Sequence, residues 1–218
     1  MATPDVMRVA IKFCGLTRVQ DVAAANTLGA TYAGVIFAGG PRMQTIDSAR
    51  ALVDASGDAR PVGVFRADAP EELRRTLGAL PFAVVQLHGD VTESDVAAAR
   101  DAGAKEVWSV VRVGPEGLPA GAEALFQAAD AVVLDTAAAN GLGGSGERFD
   151  WEAVAGQLGA IRRRARMVLA GGLRPDNVAL AIRALRPDVV DVSSGVESAP
   201  GIKDFDLMRR FVDAVGSV

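Results

Sequence analysis

Short apolar, β-rich runs recur along the chain at intervals of roughly 20–30 residues, a spacing that suits strands alternating with helices. They are Val9–Cys14, Tyr32–Phe37, Pro61–Phe65, Ala83–Leu87, Glu106–Val111, Ala131–Asp135, Met167–Ala170 and Val189–Ser193. Pro61 is expected as the first residue of its strand, where a missing N–H is tolerated. The intervening segments carry helix punctuation. Thr17-x-x-Gln20 reads as a capping box before a helix over Val19–Leu28, with Gly29 as its stop. Asp68-x-x-Glu71, with Pro70 in the first turn, opens a third helix, and Thr92 and Gly103 bracket a fourth. Helices are predicted from Trp151, after Asp150, and again after Asp204. Two show the 3.6-residue period cleanly: Val178, Ala181, Ile182 and Leu185, then Met208, Phe211, Val212 and Val215. The fifth unit is weakest, because Gly114–Gly121 holds two prolines and three glycines.

Unbroken apolar strands such as Ala131–Leu134 suit a parallel sheet covered on both faces. Eight alternating units in about 200–250 residues predict an α/β fold of the (β/α)8 TIM-barrel type, with an open doubly wound sheet as the competing arrangement. No linker, low-complexity tract or repeat divides the chain, so residues 1–218 read as a single-domain barrel.

Composition narrows the function classes. Half of the 218 residues are apolar, 23% are charged and mean hydropathy is +0.21, which excludes intrinsic disorder. With 23 basic and 27 acidic residues the net charge is −4, and no basic stripe marks a nucleic-acid partner. No apolar stretch approaches the ~18 residues of a membrane span. Met1–Asp5 lacks the basic and apolar regions of a signal peptide. Cys14, the sole cysteine, has no internal disulfide partner, so a reducing cytoplasm is the expected location.

In a barrel of this kind the chemistry sits at the C-terminal ends of the strands. Strand one ends at Cys14, followed by Gly15: either a buried small hydrophobe or a thiol base or nucleophile whose pKa its neighbours lower. Strand six ends at Asp135, either a cap or an active-site acid. Gly171-Gly172 follows strand seven and Ser193-Ser194-Gly195 follows strand eight. They make tight turns, or present bare N–H groups to a phosphate; two such loops in one chain favour phosphate.

Gly141-Leu-Gly143-Gly-Ser-Gly146 fits the dinucleotide fingerprint, but it begins six residues beyond Asp135 and opens no immediate helix, so it reads instead as a mobile loop over the site. His88, the only histidine, ends strand four with no second ligand nearby, which argues against a zinc site. Arg42, after strand two, is either a solvated charge or a fork for a carboxylate. Arg162–Arg164 reads as an exposed helix end.

Assembled, these residues resemble the phosphoribosylanthranilate isomerase family over nearly the whole chain. Lys12-Phe-Cys14-Gly-Leu-Thr17 is similar to the family's K-I-C-G-L-T, and Val85-Gln-Leu-His-Gly89 to its V-Q-L-H-G. Leu134-Asp-Thr136 through Gly143–Gly146 and Phe149-Asp-Trp151 is similar to L-D-T…G-G-T-G…F-D-W. Leu169–Leu173 with Pro175–Asn177, and Asp191–Glu197 through Pro200–Asp204, complete the set. The chain departs after strand two, where Phe37-Ala-Gly-Gly-Pro-Arg42 is one residue shorter than F-x-x-x-S-P-R and lacks its Ser, so the geometry around Arg42 does not carry over.

The resemblance implies an Amadori rearrangement of N-(5-phosphoribosyl)anthranilate in tryptophan synthesis, with Asp135 as general acid and Cys14 as general base. It implies no cofactor and no metal. Phosphate is expected at Gly171, Gly172, Ser193, Ser194 and Gly195, and the anthranilate carboxylate at Arg42. Gln86 and His88 are expected to shape the pocket, and Asp191 to be a structural acid. The expected partner is a phosphorylated aminosugar, with no nucleic acid or membrane, and the protein is expected to be a monomer or a homodimer. The histidine-pathway sugar isomerase would place an aspartate at position 14. Indole-glycerol-phosphate synthase would need catalytic lysines, and Lys12, Lys105 and Lys203 read as poorly placed. A non-catalytic phosphometabolite-binding barrel would need neither Cys14 nor Asp135.

Overall fold

All eight apolar runs form strands in a computed structural model that describes residues 9–136, 150–162 and 165–218. They are β1 (Ala10–Phe13), β2 (Tyr32–Ile36), β3 (Arg60–Arg66), β4 (Val84–His88), β5 (Val107–Val113), β6 (Ala131–Thr136), β7 (Arg166–Leu169) and β8 (Val189–Val192). Each pairs in parallel with the next, and β1 pairs with β8, so the sheet closes into a (β/α)8 barrel rather than remaining open. Helices follow the strands: α1 (Val19–Thr27), α2 (Ile46–Asp54), α3 (Pro70–Ala79), α4 (Glu93–Asp101), α5 (Ala122–Ala128), α6 (Trp151–Ile161), α7 (Val178–Leu185) and α8 (Phe205–Val215). No helix among the described residues is long and apolar enough to cross a membrane.

The period of two along each strand divides its side chains between two cores. Val132 and Leu134 of β6 face the helices, with Phe13, Trp151 and Phe211 among their layer. Ala131 and Val133 face the barrel interior, with Tyr32, Trp108 and Val168. Continued upward, the same parity sends Asp135 inward at the C-terminal mouth. It does the same for Lys12 of β1 and Cys14 just beyond it, for Gln86 and His88 of β4, and for Asp191 of β8 and Ser193 just beyond it.

Several local expectations meet a different geometry. Pro61 is the second residue of β3, not the first. Its carbonyl accepts from Ala83, and its missing donor falls ahead of β4, where the ladder has no partner for it. Thr17 does not cap α1: its hydroxyl donates to the Gly201 carbonyl at 2.6 Å, and Arg18 stands at the N-cap with its guanidinium on Asp21. Asp68 does not cap α3 either, because its carboxylate is taken by Arg66, although Pro70 is at the helix start as expected. Thr92, Asp150 and Asp204 do cap α4, α6 and α8. A Thr45–Ser48 capping box at α2 went unread in the sequence. So did a small hairpin after β8, made of a 3-10 turn (Ser194–Val196), β9 (Glu197–Ala199) and β10 (Ile202–Lys203). Readings that rest on Met1–Asp5, Gly141–Gly146, Phe149, Arg163 and Arg164 lie outside the described residues.

Candidate active site

A cavity of about 780 Å³ opens at the C-terminal ends of the strands. Its lining includes all ten residues singled out above: Cys14, Arg42, Gln86, His88, Asp135, Gly171, Gly172, Ser193, Ser194 and Gly195. Asp191, Arg66 and Arg112 line it too.

Cys14 is buried just beyond β1, its N–H donating to the Val192 carbonyl. Gly34 of β2 is required beside it, because a Cβ there would come within 2.9 Å of Sγ and 3.2 Å of the Lys12 Cε. Lys12 lies one inward position below Cys14, fully buried, with Nζ 2.6 Å from Oδ2 of Asp191. Lys12 and Lys203 are buried, and neither ends a barrel strand or lines the cavity, whereas Lys105 is on the surface. Burial pushes the Cys14 thiol above its ordinary pKa, and the Lys12 ammonium beside it works in the opposite direction. Burial would likewise lower Lys12, but Asp191 and Cys14 hold its pKa above the usual value. Parity was the missed signal: a residue two before a mouth-facing cysteine points into the same interior.

Asp135 pairs in register with Arg112 across β5 and β6. Burial, reinforced by the Asp191 carboxylate, pushes its pKa up to about 6, against the pull of the Thr136 N–H, Arg112 and Lys12. The site thus holds an acid that keeps a proton far closer to neutral pH than an ordinary aspartate. Burial lowers the pKa of His88, and Arg112 and Lys12 add to the effect, so its imidazole is neutral at pH 7.

Gln86 Oε1, Asp191 Oδ1 and Ser193 Oγ are buried with no hydrogen-bond partner among the described residues, and all three residues line the cavity. Buried polar atoms in native structures are nearly always bonded, so these three suit a polar occupant.

The two glycine loops press closely on their neighbours. A Cβ on Gly171 (φ +83°) would strike the Thr136 hydroxyl and approach Oδ1 of Asp135 to 2.9 Å; one on Gly195 would strike the Leu173 carbonyl. Asn177 braces the first loop, donating to the Gly172 carbonyl at 2.9 Å and accepting from the Arg174 N–H at 2.8 Å. Arg42 differs from the simplest expectation. Its Nε and Nη2 already hold Glu197, at 2.8 and 2.6 Å, so the side-on edge of the fork faces the protein's own carboxylate.

Residues 11–214 match the family model for N-(5'-phosphoribosyl)anthranilate (PRA) isomerase. The chain is 41% identical to the N-(5'-phosphoribosyl)anthranilate isomerase of Pseudomonas aeruginosa (strain LESB58), with 96% of each chain covered. It is similar to the crystal structure of phosphoribosyl anthranilate isomerase from Thermus thermophilus, at 33% identity and a TM-score of 0.81, covering 96% of this chain and 99% of that one. A solved phosphoribosyl anthranilate isomerase in complex with reduced 1-(o-carboxyphenylamino)-1-deoxyribulose 5-phosphate matches at 30% identity and a TM-score of 0.79, covering 96% and 100%.

Proposed function

The chain belongs to the N-(5'-phosphoribosyl)anthranilate isomerase family, and we propose that Asp135 and Cys14 carry out its chemistry as general acid and general base. The reaction is the Amadori rearrangement of N-(5-phosphoribosyl)anthranilate to 1-(2-carboxyphenylamino)-1-deoxyribulose 5-phosphate, a step of tryptophan synthesis.

Asp135 gives its proton to the furanose ring oxygen, the C1′–O bond breaks, and the anilino nitrogen supplies the electrons to form an iminium. The Cys14 thiolate removes the C2′ proton, and the C–H electrons move into the iminium to give an enolamine. Loss of the enol proton and protonation at C1′ then yield the aminoketose, with atoms and electrons unchanged in total. The iminium is the electron sink, so the bond changes close with acid and base alone. The observation that carries this reading is one cavity holding a buried thiol above a buried lysine and an aspartic acid with a pKa near 6. An acid of that pKa retains a useful share of its proton at neutral pH while remaining acidic enough to donate. Burial leaves the Cys14 thiol above its ordinary pKa, and the Lys12 ammonium beside it favours the thiolate without outweighing that burial.

The phosphate is assigned to the backbone of Gly171, Gly172 and Ser193–Gly195, and the anthranilate carboxylate to the guanidinium edge of Arg42 that Glu197 leaves open. Neutral His88 and Gln86 shape the wall. A cysteine at position 14, where the histidine-pathway isomerase would carry aspartate, favours the anthranilate substrate. The test is turnover of freshly prepared phosphoribosylanthranilate beside the histidine-pathway aminoaldose. Turnover of the first and not the second is expected. Efficient turnover of the second reassigns the specificity, and turnover of neither makes the barrel a binding protein.

A further inference from the structure

The hairpin after β8 contributes two buried charges that do not line the cavity but hold two groups that do. Glu197 and Lys203 stand opposite each other in register on β9 and β10, with side chains 4% and 0% exposed. The Glu197 carboxylate takes three bonds from two cations: Arg42 Nε at 2.8 Å, Arg42 Nη2 at 2.6 Å and Lys203 Nζ at 2.7 Å. Lys203 Nζ also donates to the Ser193 carbonyl, at 3.1 Å, in the loop that follows β8. We propose that Glu197 and Lys203 are positioning residues that fix the separation between the carboxylate-binding and phosphate-binding ends of the site, Glu197 through the Arg42 fork and Lys203 through the Ser193 backbone. This rests on the assignments of Arg42 and the β8 loop made above.

Three features support it. The hairpin is anchored from behind, so it is a rigid reference rather than a hanging loop. Thr17 donates to the Gly201 carbonyl, Arg18 donates to the Lys203 carbonyl at 3.2 Å, and the Lys203 N–H donates to Asp21 at 3.2 Å. The two groups it holds also adjoin each other. A Cβ on Gly15 would strike the Arg42 Cδ and come within 3.0 Å of the Ser193 Oγ, so the Arg42 stem passes over Gly15 against Ser193. Finally, burying three charges is costly unless all are paired, and apolar residues would pack the same space more cheaply. Their fork geometry sets the direction of the guanidinium, which an apolar contact does not. The pKa directions of Glu197 and Arg42 favour their ionised forms, whereas burial lowers that of Lys203. Glu197 lies below its usual value, Arg42 and Lys203 together outweighing its burial.

Two probes separate the ends: the reduced aminoketose 5-phosphate, which carries the aryl carboxylate, and ribulose 5-phosphate, which lacks it. Binding of each is measured by calorimetry, with thermal stability followed in parallel. Glu197→Gln is expected to weaken the carboxylate-bearing probe roughly tenfold while leaving ribulose 5-phosphate within about twofold, and to raise KM more than it lowers kcat. Lys203→Met is expected to weaken ribulose 5-phosphate by about tenfold as well, since the Ser193 carbonyl is released. Equal losses on both probes in Glu197→Gln, or no loss, would overturn the role of Glu197. Unchanged ribulose 5-phosphate binding in Lys203→Met would overturn that of Lys203. If Glu197→Gln does not fold, Glu197→Asp keeps the charge, shortens the reach and must show the same selectivity between probes. Arg42→Met distinguishes the underlying assignment: unchanged binding of the carboxylate-bearing probe there means that Arg42 does not meet the carboxylate, whatever Glu197 does.

Discussion

At the N-terminal mouth of the barrel, Glu106 accepts from Arg60 at 2.6 Å, from Arg166 and from the Trp108 indole N–H at 2.7 Å. The Tyr32 hydroxyl accepts from the same two arginines. At the C-terminal mouth, Asp135 faces a cavity with another carboxylate, Asp191, as a neighbour, and three lining residues keep buried polar atoms without partners among the described residues. Both acids are largely removed from water, yet their pKa values move in opposite directions. Burial raises Glu106, but Trp108, Arg60 and Arg166 more than reverse it, and its pKa falls. Asp135 receives too little compensation, and its pKa rises to about 6. The difference is one of completed against uncompleted pairing. The lower end is fully paired, whereas the upper end keeps polar atoms unpaired among the described residues.

The comparison breaks first at Cys14. Cys14→Ala should lower kcat by ~10³-fold or more, as expected for losing a general base, with the melting temperature almost unchanged. A variant retaining over about a tenth of wild-type kcat removes Cys14 from the proton transfer.

Asp135→Asn should lower kcat by ~10²-fold, with little change in KM. Its stability carries a sign that sharpens the contrast. A carboxyl whose folded pKa is raised from 3.8 to about 6 takes up a proton on folding, so its ionised form costs stability above pH 6. That cost shrinks as pH falls from about 6 towards 4. Asp135→Asn should therefore be more stable than wild type at pH 8, by on the order of 2 kcal/mol, and the gap should close towards pH 4. Chemical unfolding at both pH values checks this; an active but destabilised variant would make Asp135 structural.

The lower mouth should respond in reverse. Glu106→Gln leaves two arginines short of a counter-charge. Arg60 and Arg166 are 41% and 38% exposed, so water screens them. The expected loss is about 1–2 kcal/mol, below the value for a fully buried pair, and kcat and KM should stay within about twofold, since the site is at the other mouth. A larger kinetic effect would mean that the two ends are coupled. The smallest change is Tyr32→Phe, which removes one shared acceptor and should cost about 1 kcal/mol without kinetic consequence.

Much of this protein was legible in its sequence, and the failures have a common form. Strand positions, the Thr92 and Asp150 caps and the strand-end location of Cys14 and Asp135 depend on residues close in sequence, and these readings agree with the structure. Thr17 and Asp68 misled because each has a competitor for its hydrogen bond: Gly201 lies 184 residues from Thr17, and Arg66 is a charged partner that outbids a backbone N–H. Lys12 and Lys203 end no barrel strand, so their buried pairings with Asp191 and Glu197 cannot be read from strand-end positions.

The alternation of apolar residues, the helix punctuation and the residues ending each strand were set by the sequence itself, because local backbone geometry follows from side-chain pattern and turn chemistry. Closure of the sheet, with β1 on β8, was decided only in three dimensions, and so were the charges that meet as a result. Lys12 reaches Asp191 across 179 positions, and Arg42 reaches Glu197 across 155. Register and burial bring such groups together, and the same burial decides which of them keep a proton.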